Sequence, residues 1–166
     1  MKAIMISIKP KWCALMMNGK KKVEVRKGIA LYKAIQKLID EYGFAEFYVY
    51  CTKEKPYLSK CRDGCDCYDG EVYTYKLAKS KKIKGKGNRN FYENISFPIL
   101  NGKVIFKFRC YKVEEICYDH DDREEWYRTK TLNDKELEKQ SCLTYEDLDD
   151  YLKGKGYAIH ISDLEV

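Results

Sequence analysis

Hydrophobic and polar positions alternate over Ala3-Ile-Met-Ile-Ser-Ile8, which predicts a strand with Ile4, Ile6 and Ile8 on one face and Met5 and Ser7 on the other. The period then changes. Pro10 suits the first turn of a helix, where its missing N–H costs nothing, and Trp12, Leu15 and Met16 fall at i, i+3, i+4 as a buried stripe. Asn18-Gly19 supplies the left-handed stop. Lys22 to Arg26 returns to alternation, with Val23 and Val25 on one face and Lys22, Glu24 and Arg26 on the other. Lys21 stands at the start of that strand, and period alone does not set its direction.

Further along, Leu31, Ile35, Leu38 and Ile39 predict a helix from Leu31 to Tyr42, closed by Gly43, and Ala45 to Cys51 reads as a buried strand. Thr52 to Asp69 is expected to be irregular, Glu71 to Leu77 a short strand, and Ala78 to Asn90 a Lys/Gly-rich loop. Asn101-Gly102 is a turn signal before the alternating strand Val104 to Tyr111. Tyr118 to Gln140 is acidic and expected to be partly helical. Thr144-Tyr-Glu-Asp147 has the form of a capping box ahead of Leu148, Tyr151 and Leu152. Gly154 and Gly156 break that helix, and Tyr157 to Ile161 is expected to be the last strand. Short strands separated by glycine turns, with no regular strand–helix alternation after residue 51, predict an α+β domain: a mixed sheet curled into a partial barrel, with helices at its ends.

At 166 residues the chain is most simply one domain, residues 1–166. Its charge is segregated. Residues 1–27 hold eight Lys/Arg and one Glu, residues 76–90 hold seven Lys/Arg and no acid, and residues 113–150 hold fourteen Asp/Glu and five Lys/Arg. Two basic blocks suit phosphate, and equally suit plain solvation of a surface. Ala3 to Ile8 is too short for a secretory leader, and no apolar run approaches the roughly 20 residues of a membrane span. The expectation is a soluble cytoplasmic protein. Most of its eight cysteines are then reduced thiols or ligands, and Cys13, Cys51 and Cys110 sit among apolar residues as core thiols.

The opening Ser7-Ile-Lys-Pro, the Asn-Gly-Lys after the first helix and Val23-Glu-Val-Arg26 together resemble ASCH-domain proteins of the PUA-like superfamily, most closely the small ASCH proteins of Firmicutes and their phages. Val49 to Lys53 with Lys55-Pro56-Tyr57, Leu100 to Val104, and Ser141 to Leu148 leading to Gly156 to Ile161 follow in matching order. The resemblance covers about half the chain, and segments near 59–70 and 78–90 stand as insertions. It implies a PUA-like pseudobarrel with a cleft between the first helix and the barrel. It also implies an association with RNA, and relatives that run a little past the last strand.

On this reading RNA or a nucleotide-like small molecule is held by Lys9, Lys20, Lys21, Glu24, Arg26, Tyr157 and His160. The lysines and the arginine are donors for phosphate or base edges, and tyrosines are available to stack. His160 is as readily a satisfied strand histidine as a ligand contact. One ASCH branch removes the acetyl group from N4-acetylcytidine, with a Lys, a Thr three residues on, and a later Glu. The matching positions here are Lys21 and Glu24, so a carboxylate stands where that branch has its nucleophile. Glu24 beside Lys21 could serve as a general base on water, or be neutralised in a Lys–Glu–Arg cluster that only shapes the pocket. Glu71 is the best-placed residue for the later Glu.

A third function class is a protein-interaction adaptor that uses the acidic 113–150 surface. Cys51, Cys61, Cys65 and Cys67 have enough thiols for a zinc site but not the spacing of a standard knuckle, and no cofactor or metal is assigned. No P-loop, G-x-S-x-G or H-E-x-x-H is present in the sequence.

Overall fold

A computed structural model of the chain describes residues 2–63, 72–79 and 98–166. Strand β1 (Ala3–Ile8) buries Ile6 and Ile8 and leaves Met5 exposed, as its alternation dictates. Helix α1 (Pro10–Met17) starts on Pro10 and ends where Asn18 and Gly19 (φ +71°) turn the chain. Strand β2 (Val23–Arg26) and helix α2 (Ile29–Tyr42) follow, the helix ending on left-handed Gly43. Strand β3 (Ala45–Cys51) then pairs parallel with β1, from Ala3 opposite Glu46 to Ile8 opposite Cys51.

The segment expected to be irregular contains a strand. Strand β4 (Tyr57–Asp63) pairs antiparallel with β5 (Val72–Ala78) through seven residues. Pairing with a partner satisfies the backbone of a stretch whose own sequence is too polar to announce a strand. Strand β6 (Lys103–Cys110) lies antiparallel to β3.

The acidic region is partly helical, as expected, but begins as strand. Its first half is a hairpin, strand β7 (Val113–His120) against β8 (Glu125–Arg128), in which Asp121 Oδ1 accepts from the backbone N–H of Arg123 and Glu124 at the turn. Only its end is helical, α3 (Asp134–Ser141), started by a capping box of Asn133 and Glu136. Helix α4 (Tyr145–Leu152) carries the Thr144–Asp147 box. Strand β9 (Lys155–His160) is not the last: β10 (Ser162–Glu165) turns away from it and joins β6.

Among the described residues two four-stranded sheets result, β1-β3-β6-β10 and β2-β9-β7-β8, with the β4–β5 hairpin apart from both. The coarse expectation of an α+β fold with a curled, half-barrel sheet is met. The second sheet separates two cores. On one side Tyr157, Ile159 and Val113 join the first sheet, α1 and α2 around Phe47 and Phe108, which stack at 4.8 Å. On the other side Val23, Val25, Ile116 and Ala158 pack with Leu137 of α3 and Leu148 and Leu152 of α4. Gly156 is required at this second contact. A Cβ there would collide with the Leu152 side chain and stand 3.1 Å from the Arg26 carbonyl.

Among the described residues no helix is long and apolar enough to cross a membrane. The expected loop over 80–90 and the residue Glu71 lie outside the described residues.

Candidate functional site: a lysine–glutamate–arginine cleft

The face of β2 opposite Val23 and Val25 carries Glu24 and Arg26, and it meets the end of β1 and the side of α1. A cleft of about 430 Å³ opens there. Ser7, Ile8 and Lys9 line it from β1 and its end, Trp12 from α1, Glu24, Val25 and Arg26 from β2, and Lys21 from the turn before β2. Leu143, Asp147 and Tyr151 close the remaining wall from α4 and the residues before it.

At its floor lies an ion cluster. Lys21 is 3 % exposed and Glu24 7 %. Lys21 Nζ stands 3.5 Å from Glu24 Oε2, and Arg26 Nε donates to Glu24 Oε1 at 2.9 Å. Arg26 Nη2 also donates to the Ser7 carbonyl at 2.9 Å, which ties β2 to the end of β1. Lys21 Nζ donates to the Ser141 carbonyl at 2.6 Å and lies 5.0 Å from the centre of the Trp12 ring.

The Ser141 carbonyl is one of the last in α3, an acceptor that the helix itself leaves unfilled. Lys22 N–H fills its neighbour, the Gln140 carbonyl, at 2.7 Å. Left-handed Cys142 (φ +58°) ends α3 at that point, and its Sγ donates to the Lys20 carbonyl at 3.5 Å. The segment entering β2 thus closes the C-terminus of α3, where the helix dipole favours a cation. Burial pushes the Lys21 amine below its ordinary value of 10.5, against the opposing pull of the Glu24 carboxylate.

Of the residues expected to form one cleft, Lys9, Lys21, Glu24 and Arg26 line this one. Lys9 stands at its rim, exposed, 3.6 Å from Glu54. Lys20 is exposed and not among the lining residues.

Tyr157 and His160 are elsewhere. Tyr157 pairs opposite Arg26 and shares its face, but its ring is buried against Tyr32 of α2, with centroids 4.4 Å apart. His160, three residues on, must point to the other face of the sheet. There its Nε2 meets Glu114 Oε2 at 2.7 Å. The same oxygen accepts from Thr129 and Thr131 hydroxyls at 3.1 and 2.8 Å, with Lys112 Nζ 3.7 Å away. Burial pushes the Glu114 carboxyl up, and the hydrogen bonds from Thr131 and His160 with the charge of Lys112 outweigh it, leaving the carboxyl below its ordinary value. This second cluster pins the 129–132 loop.

Sequence reasoning assigned Trp12, Tyr151 and Asp147 to a buried stripe, a helix stripe and a capping box. Asp147 holds its place, whereas Trp12 is only half-buried and Tyr151 is exposed, and all three face the cleft. No local signal marks the Ser141 carbonyl as the acceptor of Lys21.

Cys51 is buried at the end of β3 and hydrogen-bonded with Cys13, which holds its thiol below the ordinary value. Cys61 Sγ lies 3.7 Å from Ser59 Oγ. Cys65 and Cys67 are outside the described residues. Among the described residues no group of three or more His, Cys, Asp or Glu is placed to hold a metal.

Comparison of the chain with protein-family models, with curated proteins and with solved structures finds no match.

Proposed function

We propose that this chain is an ASCH-type, PUA-like domain that holds one nucleotide unit of RNA, or a free nucleotide-like molecule, in the cleft between α1, β2 and α4. The observation that carries this reading is the buried Lys21–Glu24–Arg26 cluster opening into a cleft of about 430 Å³ beside Trp12. That volume falls within the range of about 300–1,000 Å³ typical of small-ligand sites. A base presents both donors and acceptors on its edge, and the cleft offers both. Of the five N–H groups of a guanidinium, Arg26 engages two with Glu24 and Ser7, so donors remain for a ligand. Asp147 is a second carboxylate in the wall, and Lys9 at the rim suits an adjoining phosphate.

The test is binding of single-stranded RNA followed by fluorescence anisotropy across a salt series. Affinity should fall as salt rises. Arg26→Ala and Lys21→Ala should each weaken binding by about tenfold or more, the worth of a charged hydrogen bond. Absence of binding at low salt, or indifference to both substitutions, overturns the reading.

A second reading is favoured by one observation, the buried Lys21 amine 3.5 Å from Glu24 in the cleft. It is a hydrolase of an acylated nucleoside, with Glu24 as base on water and Lys21 beside it. Acetate released from N4-acetylcytidine, and lost in Glu24→Gln, supports it. A folded protein with no turnover removes it.

A further inference from the structure

Lys21 differs physically from the exposed lysines of this chain. An exposed ammonium is fully hydrated and gives up its proton only near its ordinary value. Lys21 is almost wholly withdrawn from water, yet it faces a cavity. Its one short hydrogen bond goes to a neutral acceptor, the Ser141 carbonyl at 2.6 Å. A neutral amine still donates to that carbonyl, though more weakly than an ammonium does. Glu24 Oε2, at 3.5 Å, is beyond strong hydrogen-bond reach and must close to about 3 Å before a proton can pass. The Ser141 bond and the Trp12 ring hold the nitrogen in place beside the cleft.

We propose that Lys21 is a nucleophilic amine that captures small carbonyl compounds in the cleft as imines, with Glu24 relaying the proton and Arg26 receiving an acidic group on the captured molecule. This rests on the cleft being a ligand site, though not on the ligand being a nucleotide. Burial acts in the same direction, since a desolvated lysine is neutral at lower pH than an exposed one.

The chemistry balances within the site. The ammonium passes one proton to Glu24, and the neutral nitrogen attacks the carbonyl carbon as the C=O pair moves to oxygen. A proton shifts from nitrogen to that oxygen and gives a carbinolamine. Glu24 returns its proton to the hydroxyl, water leaves, and the nitrogen lone pair closes the protonated C=N bond. One water is released, Glu24 ends as a carboxylate, and nothing is oxidised or reduced.

The size of the cleft admits short aldehydes and keto acids, and the free N–H groups of Arg26 favour those with a carboxylate next to the carbonyl. Glyoxylate is the simplest such probe. The wild-type protein is incubated at neutral pH with a limiting amount of it and cyanoborohydride, which traps the imine as a secondary amine. Peptide mapping then reads the labelling rate at each lysine, with the exposed Lys33 and Lys37 of α2 as internal references.

Lys21 is expected to label severalfold faster than the references, since a lowered pKa leaves more of the amine neutral. Unfolding in urea should erase the difference. Labelling of Lys21 no faster than Lys33 and Lys37 overturns the proposal, and so does a preference that survives urea, which would belong to the local sequence. RNA binding measured on the same preparation separates this result from the nucleotide reading, because either can fail while the other stands.

Discussion

Lys21 Nζ and the Ser141 carbonyl meet at 2.6 Å although 120 residues separate them, so the strand that carries the cleft is fastened by its side chain to the end of a distant helix. Lys21→Ala would leave that carbonyl and one oxygen of Glu24 without their donor. A loss of about 2–4 kcal/mol is expected, since removing one partner of a buried pair costs more than the pair contributes. Lys21→Met, which can still pack on Trp12, should lose less. Urea unfolding midpoints check both, and equal midpoints for wild type and Lys21→Ala would contradict the fastening.

Glu114 makes the stability of the second sheet depend on acid. Its carboxyl sits below its ordinary value of 4.5 in the folded protein, so the unfolded chain binds the proton first. The stabilisation is complete above 4.5 and is lost as pH falls through the folded value. Between pH 6 and the acid limit, wild type should therefore lose more stability than Glu114→Gln. Paired urea titrations along the pH axis measure this. Parallel curves would show that the 129–132 loop is held by something else.

Gly156→Ala should destabilise the fold by about 1–3 kcal/mol through overpacking against Leu152 and the Arg26 carbonyl. Leu152 lies beside Tyr151 on α4, so the same change should weaken ligand binding in the cleft. Thermal unfolding and the anisotropy assay read the two effects separately. Leu152→Ala should restore stability to Gly156→Ala in part, because it vacates the colliding side chain.

Asn18 acts as a short piece of strand. Its Nδ2 donates to the Tyr75 carbonyl at 2.9 Å and its Oδ1 accepts from Tyr75 N–H at 3.0 Å, which docks the β4–β5 hairpin on the end of α1. Asn18→Ala should speed amide hydrogen exchange in β5 while leaving β3 and β6 protected, and should cost about 1 kcal/mol, modest because the bonds are exposed. Unchanged exchange in β5 would mean that the hairpin is anchored elsewhere.

Strands β1 and β3 and helices α1 and α4 were legible in the sequence because local pattern decided them: alternation, Pro10 at a helix start, Gly19 and Gly43 at helix ends, Thr144 with Asp147 at a cap. The strand β4 and the hairpin β7–β8 were not. Ser59, Lys60, Asp119 and His120 carry no apolar rhythm, and their extended backbone follows from the strands they pair with. For the cleft, Lys21, Glu24 and Arg26 were within reach because the chain brings them close by itself. Ser141, Leu143 and Asp147 come from the far end of the chain, and only the pairing of β2 with β9 delivers them. Tyr157 and His160 could have been told apart in advance, since an odd separation along a strand puts two side chains on opposite faces.

Among the described residues strand β2 has a single strand neighbour, and that neighbour spans Lys155–His160. During synthesis the lysine-bearing segment therefore leaves the ribosome long before anything exists for it to pair with. The cavity cannot take shape until β9 has emerged, so a chain cut short before β9 would carry every cleft side chain from Ser7 to Arg26 and still have no pocket. Occupancy of the site would report that translation has run through β9.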